Sequence, residues 1–115
     1  MGFSQVIIYV DIDETICNTP GNKYQARDYS LAEPILDNIL KVNEYYDKGH
    51  QIIYWTARGT KSGIDWYDLT HAQLKKWGAK FHDLKLGKPA YDIFIDDKVL
   101  NSRDWELAYQ TIDKI

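Results

Sequence analysis

Val6-Ile7-Ile8-Tyr9-Val10, followed at once by Asp11-Ile12-Asp13-Glu14-Thr15, sets the architecture of this chain. Five β-branched or aromatic residues without polar alternation suit a strand covered on both faces, and the run breaks abruptly into acids. Gln51-Ile52-Ile53-Tyr54-Trp55 repeats the pattern and ends in Thr56-Ala57-Arg58-Gly59. A third strand is read at Asp92-Ile93-Phe94-Ile95, ending in Asp96-Asp97-Lys98, and a more polar edge strand at Lys80 to Leu84. Between them lie helical patterns. The first has Pro34 at its first position, Leu36, Ile39, Leu40, Asn43 and Tyr46 on one face and Gly49 as its stop. The second runs from about Ser62 to Trp77 with Ile64, Tyr67, His71 and Leu74 in register and Gly78 after it, and the third starts near Asn101 or Ser102 and carries Trp105, Ala108, Tyr109 and Ile112. Alternating strands and helices imply an α/β fold with a mostly parallel sheet of about four strands and right-handed crossovers.

The 115 residues make one domain, 1–115, with no linker, repeat or low-complexity tract. Fourteen Lys plus Arg against seventeen Asp plus Glu leave a net charge of −3, which offers no broad positive field for nucleic acid or an anionic membrane. The apolar runs fall far short of the roughly 20 residues of a membrane helix. No signal-peptide pattern stands at the start, and the single cysteine, Cys17, can make neither an internal disulfide nor a paired-thiol metal site, so a cytoplasmic setting is expected.

Ligands of parallel sheets bind beyond the strand C-termini, which directs attention to Asp11, Asp13, Asp96 and Asp97. Four carboxylates converging there would repel one another unless a cation or protons intervened, and an all-oxygen cluster suits a hard ion such as Mg²⁺. A Thr hydroxyl (Thr56), backbone N–H groups (Ile12, Ala57) and a nearby lysine (Lys88) add a cradle for phosphoryl oxygens. The two-residue spacing of Asp11 and Asp13 permits a division of labour: one carboxylate attacks phosphorus, while the other protonates the leaving group and later takes a proton from water.

Taken together and in order, Asp11-x-Asp13-x-Thr15, the strand ending in Thr56, Lys88 and the Asp96-Asp97 pair resemble the four motifs of the haloacid dehalogenase superfamily of phosphotransferases. The resemblance implies a Rossmann-like three-layer α/β/α sandwich and a Mg²⁺-dependent phosphatase. It makes Asp11 the nucleophile that becomes an aspartyl-phosphate and Asp13 the acid/base, with its backbone carbonyl on the metal. Asp11 and Asp96 would bind Mg²⁺, Asp97 would bind it through water or orient Lys88, and Thr56 and Lys88 would hold the phosphoryl group, with Lys85 the rival lysine. The stretches Ile16 to Glu33 and Phe81 to Ala90 are too short for the family's cap domains, so a capless member is expected, open to solvent or closed by a neighbouring subunit of a homo-oligomer. The wording Gly87-Lys88-Pro89-Ala90-Tyr91-Asp92 resembles small bacterial phosphatases of capsule and lipopolysaccharide sugar pathways, which implies a small phosphorylated sugar or polyol as substrate.

Plainer readings stand beside these. Asp-x-Asp also occurs in metal-binding glycosyltransferases and ordinary turns, and acids cap helices. Arg58 either closes a turn with a surface ion pair or holds a substrate anion; Lys23 and Arg27, in the loop Asn18 to Ser30, either contact the leaving group or are solvated. Cys17 reads as a passive loop thiol, and His50, His71 and His82 show no ligand spacing. Competing functions are a phosphoprotein or nucleotide phosphatase and, outside enzymes, a receiver-like phosphoacceptor domain. The order of motifs argues against the last, because receivers carry their acidic pair first.

Overall fold

In the computed structural model, which describes residues 5–22 and 25–114, the first apolar run forms β1 (Ile7–Val10) and the second β4 (Gln51–Trp55). They pair in parallel, Ile8 opposite Ile52, and β4 pairs in parallel with β5 (Asp83–Lys85) on its other side. Two residues each of β2 (Cys17–Asn18) and β3 (Glu33–Pro34) form a separate antiparallel ladder. The helices are α1 (Leu36–Asp47), α2 (Tyr67–Lys76) and α3 (Trp105–Asp113). The chain is thus a small α/β fold with a parallel three-stranded sheet, order β1-β4-β5, and three helices. None of the described helices is long and apolar enough to cross a membrane.

One core holds these elements together. Val10, Ile52, Tyr54 and Leu84, which share one face of the sheet, pack with Ile39, Val42 and Tyr45 of α1 and Leu74 of α2, and with Trp105, Tyr109 and Ile112 of α3. Asn38 ties the helical layer to the loop after β1: its amide donates to the Thr15 carbonyl at 2.9 Å and its carbonyl accepts from the Trp105 indole at 3.1 Å. His50 and His82 serve the sheet, each accepting a backbone N–H at Nδ1, from Val6 and Ile52.

Several expectations are corrected. The sheet has three strands rather than four, because Asp92–Ile95 forms no strand. Ile93 is 77% exposed and Ile95 91%, and no described strand pairs with β1 on the side away from β4. Strand propensity spans only about 1 kcal/mol and reflects packing on neighbours, so an Ile-Phe-Ile run without a ladder has little to hold it. The described helices all join the core on one face, while Ile7 and Tyr9, alternating with the core residues of β1, lie open, so β1 is not covered on both sides. The inner stripe of α1 is Ile39, Val42, Asn43 and Tyr45, with Leu36 and Leu40 exposed, and Pro34 sits in β3 opposite Cys17 instead of opening the helix. The edge strand lies a few residues later than expected, and α2 starts at Tyr67 because residues 58–62 form turns.

Gly59 fixes that turn. Its φ is +81°, and a Cβ there would stand 2.1 Å from the Ile64 carbonyl oxygen and 3.3 Å from the Trp66 ring. Gly59→Ala is therefore expected to lower unfolding stability by about 1–3 kcal/mol, read from the urea midpoint at unchanged slope. A midpoint equal to the parent's would show that the backbone relaxes at no cost.

Candidate active site

The loop after β1 is wound tightly. Thr15 and Ile16 N–H groups both return to the Ile12 carbonyl, at 3.1 and 2.9 Å, and Glu14 N–H reaches the Cys17 carbonyl at 2.7 Å. Glu14 carries the cost of that turn at φ +61°, a left-handed conformation uncommon outside Gly, Asn and Asp. Ile12 and Ile16 are wholly buried, so the apolar residues of the loop point into the core, while Asp11 and Glu14 stay partly exposed.

Asp11 stands at the C-terminal end of β1. One carboxylate oxygen lies 3.3 Å from the Lys88 ammonium and the other accepts from the Thr15 hydroxyl at 3.3 Å. Its side chain remains 38% exposed. Burial pushes its pKa above the ordinary value, and Lys88 and the Ile12 N–H offset that only in part. Lys88 is delivered by a loop laced to the end of β4: Thr56 N–H donates to the Lys85 carbonyl at 3.0 Å, Lys88 N–H to the Thr56 carbonyl at 3.1 Å, and the Thr60 hydroxyl to the Lys88 carbonyl at 2.8 Å. The ammonium also lies over the rings of Trp55 and Tyr91 at 5.9 and 5.4 Å. Lys85 points elsewhere, its ammonium 3.2 Å from the Tyr9 hydroxyl, so Lys88 is the lysine that reaches Asp11.

Asp13 lies in a different setting. Its Oδ2 accepts from Arg58 Nε at 2.9 Å; its Oδ1 accepts from Arg58 Nη2 at 2.9 Å and from the Thr19 hydroxyl at 2.6 Å, with the Cys17 thiol at 3.5 Å. Burial by itself would raise the Asp13 pKa, but the Arg58 hydrogen bonds and charge outweigh it and hold the carboxyl below its ordinary range. Burial drives the Cys17 thiol up to about 12, so the sulfur stays protonated and inert. Cys17 is a core residue in β2 rather than a loop thiol.

Arg58 is not a surface residue. It is 2% exposed, and its remaining donors go to Thr70 and Gln73 of α2 at 3.0 and 2.6 Å. Arg27 Nη1 pairs with Glu14 at 3.0 Å and donates to the Thr19 carbonyl at 3.2 Å, pinning its loop to the acidic turn, while its buried Nε has no hydrogen-bond partner among the described residues. Lys23 lies outside the described residues. Thr56 is 1% exposed and its hydroxyl accepts the Arg58 N–H at 3.1 Å, while Ala57 is half-buried beside it. Thr56 thus closes the turn after β4.

Asp96 and Asp97 are exposed, and Asp96 accepts the N–H of Lys98 at 2.8 Å in a local turn. Among the described residues no group of three or more acidic, His or Cys side chains is gathered as a metal would require. Asp11 is paired with Lys88, and the oxygens of Asp13 are engaged by Arg58 and Thr19. A groove of about 490 Å³ between Ser30–Pro34 and Lys76–Trp77 includes none of the candidate residues.

Sequence reasoning missed Thr19, Thr70 and Gln73. The signal was present in α2, where Thr70, Gln73 and Leu74 fall on one face, so two polar side chains sit in a buried stripe.

No family model and no curated protein matches the chain. Its fold is similar to that of a crystal structure of a structural-genomics target from Vibrio cholerae, 24% identical, covering 96% of this chain and 98% of that one with a TM-score of 0.76. At that identity the likeness shows the fold.

Proposed function

We propose that the chain is a capless phosphomonoesterase of the haloacid dehalogenase type, built on a Rossmann-like core as one domain and acting on a small phosphorylated sugar or polyol. The observation that carries the reading is the pairing of Asp11, at the end of β1, with the Lys88 ammonium at 3.3 Å beside Thr56 at the end of the neighbouring parallel strand. A half-exposed carboxylate next to a fixed cation is a nucleophile with a place for the dianion it attacks. In the first half-reaction an Asp11 oxygen bonds to phosphorus, the ester P–O bond breaks, and the departing oxygen leaves as an alcohol with a proton passed on by Asp13, which rests ionised beside Arg58 and must first take that proton from solvent. In the second, water bonds to phosphorus and gives its proton to Asp13, and the bond to Asp11 breaks to release phosphate. Mg²⁺ belongs to this reading through Asp11, Asp96, Asp97 and the Asp13 carbonyl. The described residues do not gather these groups.

The test is phosphate release from sugar, polyol, nucleotide and phosphopeptide monoesters, with Mg²⁺ and with EDTA. Turnover lost in Asp11→Asn and Asp13→Asn supports the reading, and no release from any substrate sinks it. Ile93→Asp alters an exposed side chain, so the unfolding free energy, read by urea denaturation, should stay within about 0.5 kcal/mol of the parent's, and a larger loss would show that the side chain is covered.

One observation favours a second reading, a phosphoacceptor domain that keeps its phosphoryl group. The Asp13 carboxylate, needed to activate water, is engaged by Arg58. A long-lived phosphorylated Asp11 after treatment with acetyl phosphate, without turnover, would select it.

A further inference from the structure

A guanidinium has five N–H donors, and the partners of Arg58 account for them: Asp13 Oδ2 for Nε, Asp13 Oδ1 and the Cys17 sulfur at 3.7 Å for Nη2, Thr70 and Gln73 for Nη1. The Tyr29 ring closes over the group at 4.7 Å from its central carbon, and the Gln73 amide donates to the Tyr29 carbonyl at 2.7 Å, so the arginine is held from three sides. None of its donors is left for a substrate. The whole constellation converges on the Asp13 carboxylate.

The two oxygens of that carboxylate are not equivalent. Oδ1 accepts from Arg58 Nη2 and Thr19 and lies against the Cys17 thiol, whereas Oδ2 accepts from Arg58 Nε alone. Rotation about a terminal sp³–sp² bond is broad when nothing restrains it, so an unpinned carboxylate would sample many directions. A two-pronged guanidinium fixes the plane of its partner, which a lysine, a point charge on a flexible stem, does not.

We propose that Arg58 is a positioning residue for Asp13: braced by Thr70 and Gln73 of α2, it sets the plane of the Asp13 carboxylate so that Oδ2 is the atom presented to the leaving group and to water. The proposal rests on the roles given to Asp11 and Asp13 above. It makes α2, which contributes no residue to the chemistry, a working part of the site.

The experiment compares Arg58→Lys, Asp13→Asn and the double variant on an alkyl phosphate, whose leaving group needs a proton, and on p-nitrophenyl phosphate, whose leaving group does not. Arg58→Lys is expected to lower kcat on the alkyl phosphate by about 10²-fold with little change in KM. On the aryl ester it should give a burst of nitrophenol equal to the enzyme present and then slow turnover, since attack by Asp11 is spared and hydrolysis of the acyl phosphate is not. In the double variant the loss should match that of Asp13→Asn to within about twofold. Losses that multiply, or equal losses on both esters without a burst, would assign Arg58 a purely structural role and overturn the proposal. If Arg58→Lys does not fold, Thr70→Val, which removes one brace, should show the same leaving-group signature more weakly, and its absence overturns the proposal equally. A wild-type protein that turns over no ester takes the proposed function down with it, whereas turnover with multiplying losses removes the role of Arg58 alone.

Discussion

In the Asp11→Asn protein, phosphate release is expected to fall by about 10³-fold or more, with no acid-stable acyl phosphate trapped on quenching. The amide cannot form the bond to phosphorus, and the remaining groups can only bind. Binding itself should persist. Asp11 carries a negative charge 3.3 Å from the Lys88 ammonium, and removing it frees that cation for an anion. Inorganic phosphate should therefore inhibit the variant's residual turnover, or protect it thermally, at concentrations no higher than those the parent requires. The parent's pH profile carries a second mark of the same residue. The nucleophile must be ionised, and burial raises the Asp11 pKa above 3.8, so kcat/KM should fall as the pH drops through that raised value. Turnover in Asp11→Asn close to the parent's would place the nucleophile elsewhere.

Arg58→Met is expected to cost about 3–5 kcal/mol of unfolding free energy, the range for breaking one side of a buried ion pair. The methionine fills much of the space, yet the Asp13 carboxylate, only 11% exposed, keeps the Thr19 hydroxyl and the weak Cys17 thiol donor but no cation at hydrogen-bond distance, and Thr70 and Gln73 lose their bonds to Arg58. Against a total of about 5–15 kcal/mol for a domain, this is the largest stability effect expected of any single change discussed above. Chemical denaturation checks it, and a loss under about 1 kcal/mol would mean that the pair does not hold the fold. The pH dependence gives the sign of the effect. The folded pKa of Asp13 is depressed, so its pairing contributes stability above the unfolded value near 3.8 and loses it as the pH falls through the folded pKa. Asp11, with a raised folded pKa, acts oppositely: its contribution is complete below 3.8 and is lost as the pH rises through the folded value. The parent should thus lose stability below about pH 4 through Asp13. Arg58→Met should lose less there, having lost that contribution already.

Some of this was legible along the chain and some was not. The β-branched runs of β1 and β4, the stops at Gly49 and Gly78 and the amphipathic stripe of α3 are local signals, since side-chain shape and period three or two act within a few residues. The acids at the strand end were equally visible, because a parallel sheet puts its polar loops at that edge whatever the register. The stripe of α1 is right at Ile39 and Asn43 but rotated at its margin, as Leu40 and Val42 are both apolar and only the approach of β4 selects which one is buried.

The sequence by itself determined the strands β1 and β4, the three helices and the candidacy of Asp11, Asp13 and Lys88, because each rests on residue types within one short segment. Tertiary structure alone decided three other things. Lys88 rather than Lys85 faces Asp11, because the loop after β5 is laced to Thr56. Arg58 turns inward to Asp13, across a separation of 45 residues, since a buried carboxylate and a buried guanidinium each need the other once water is excluded. Asp92–Ile95, strand-like in composition, stays unpaired, because a strand exists only where a neighbour supplies the other half of its hydrogen bonds.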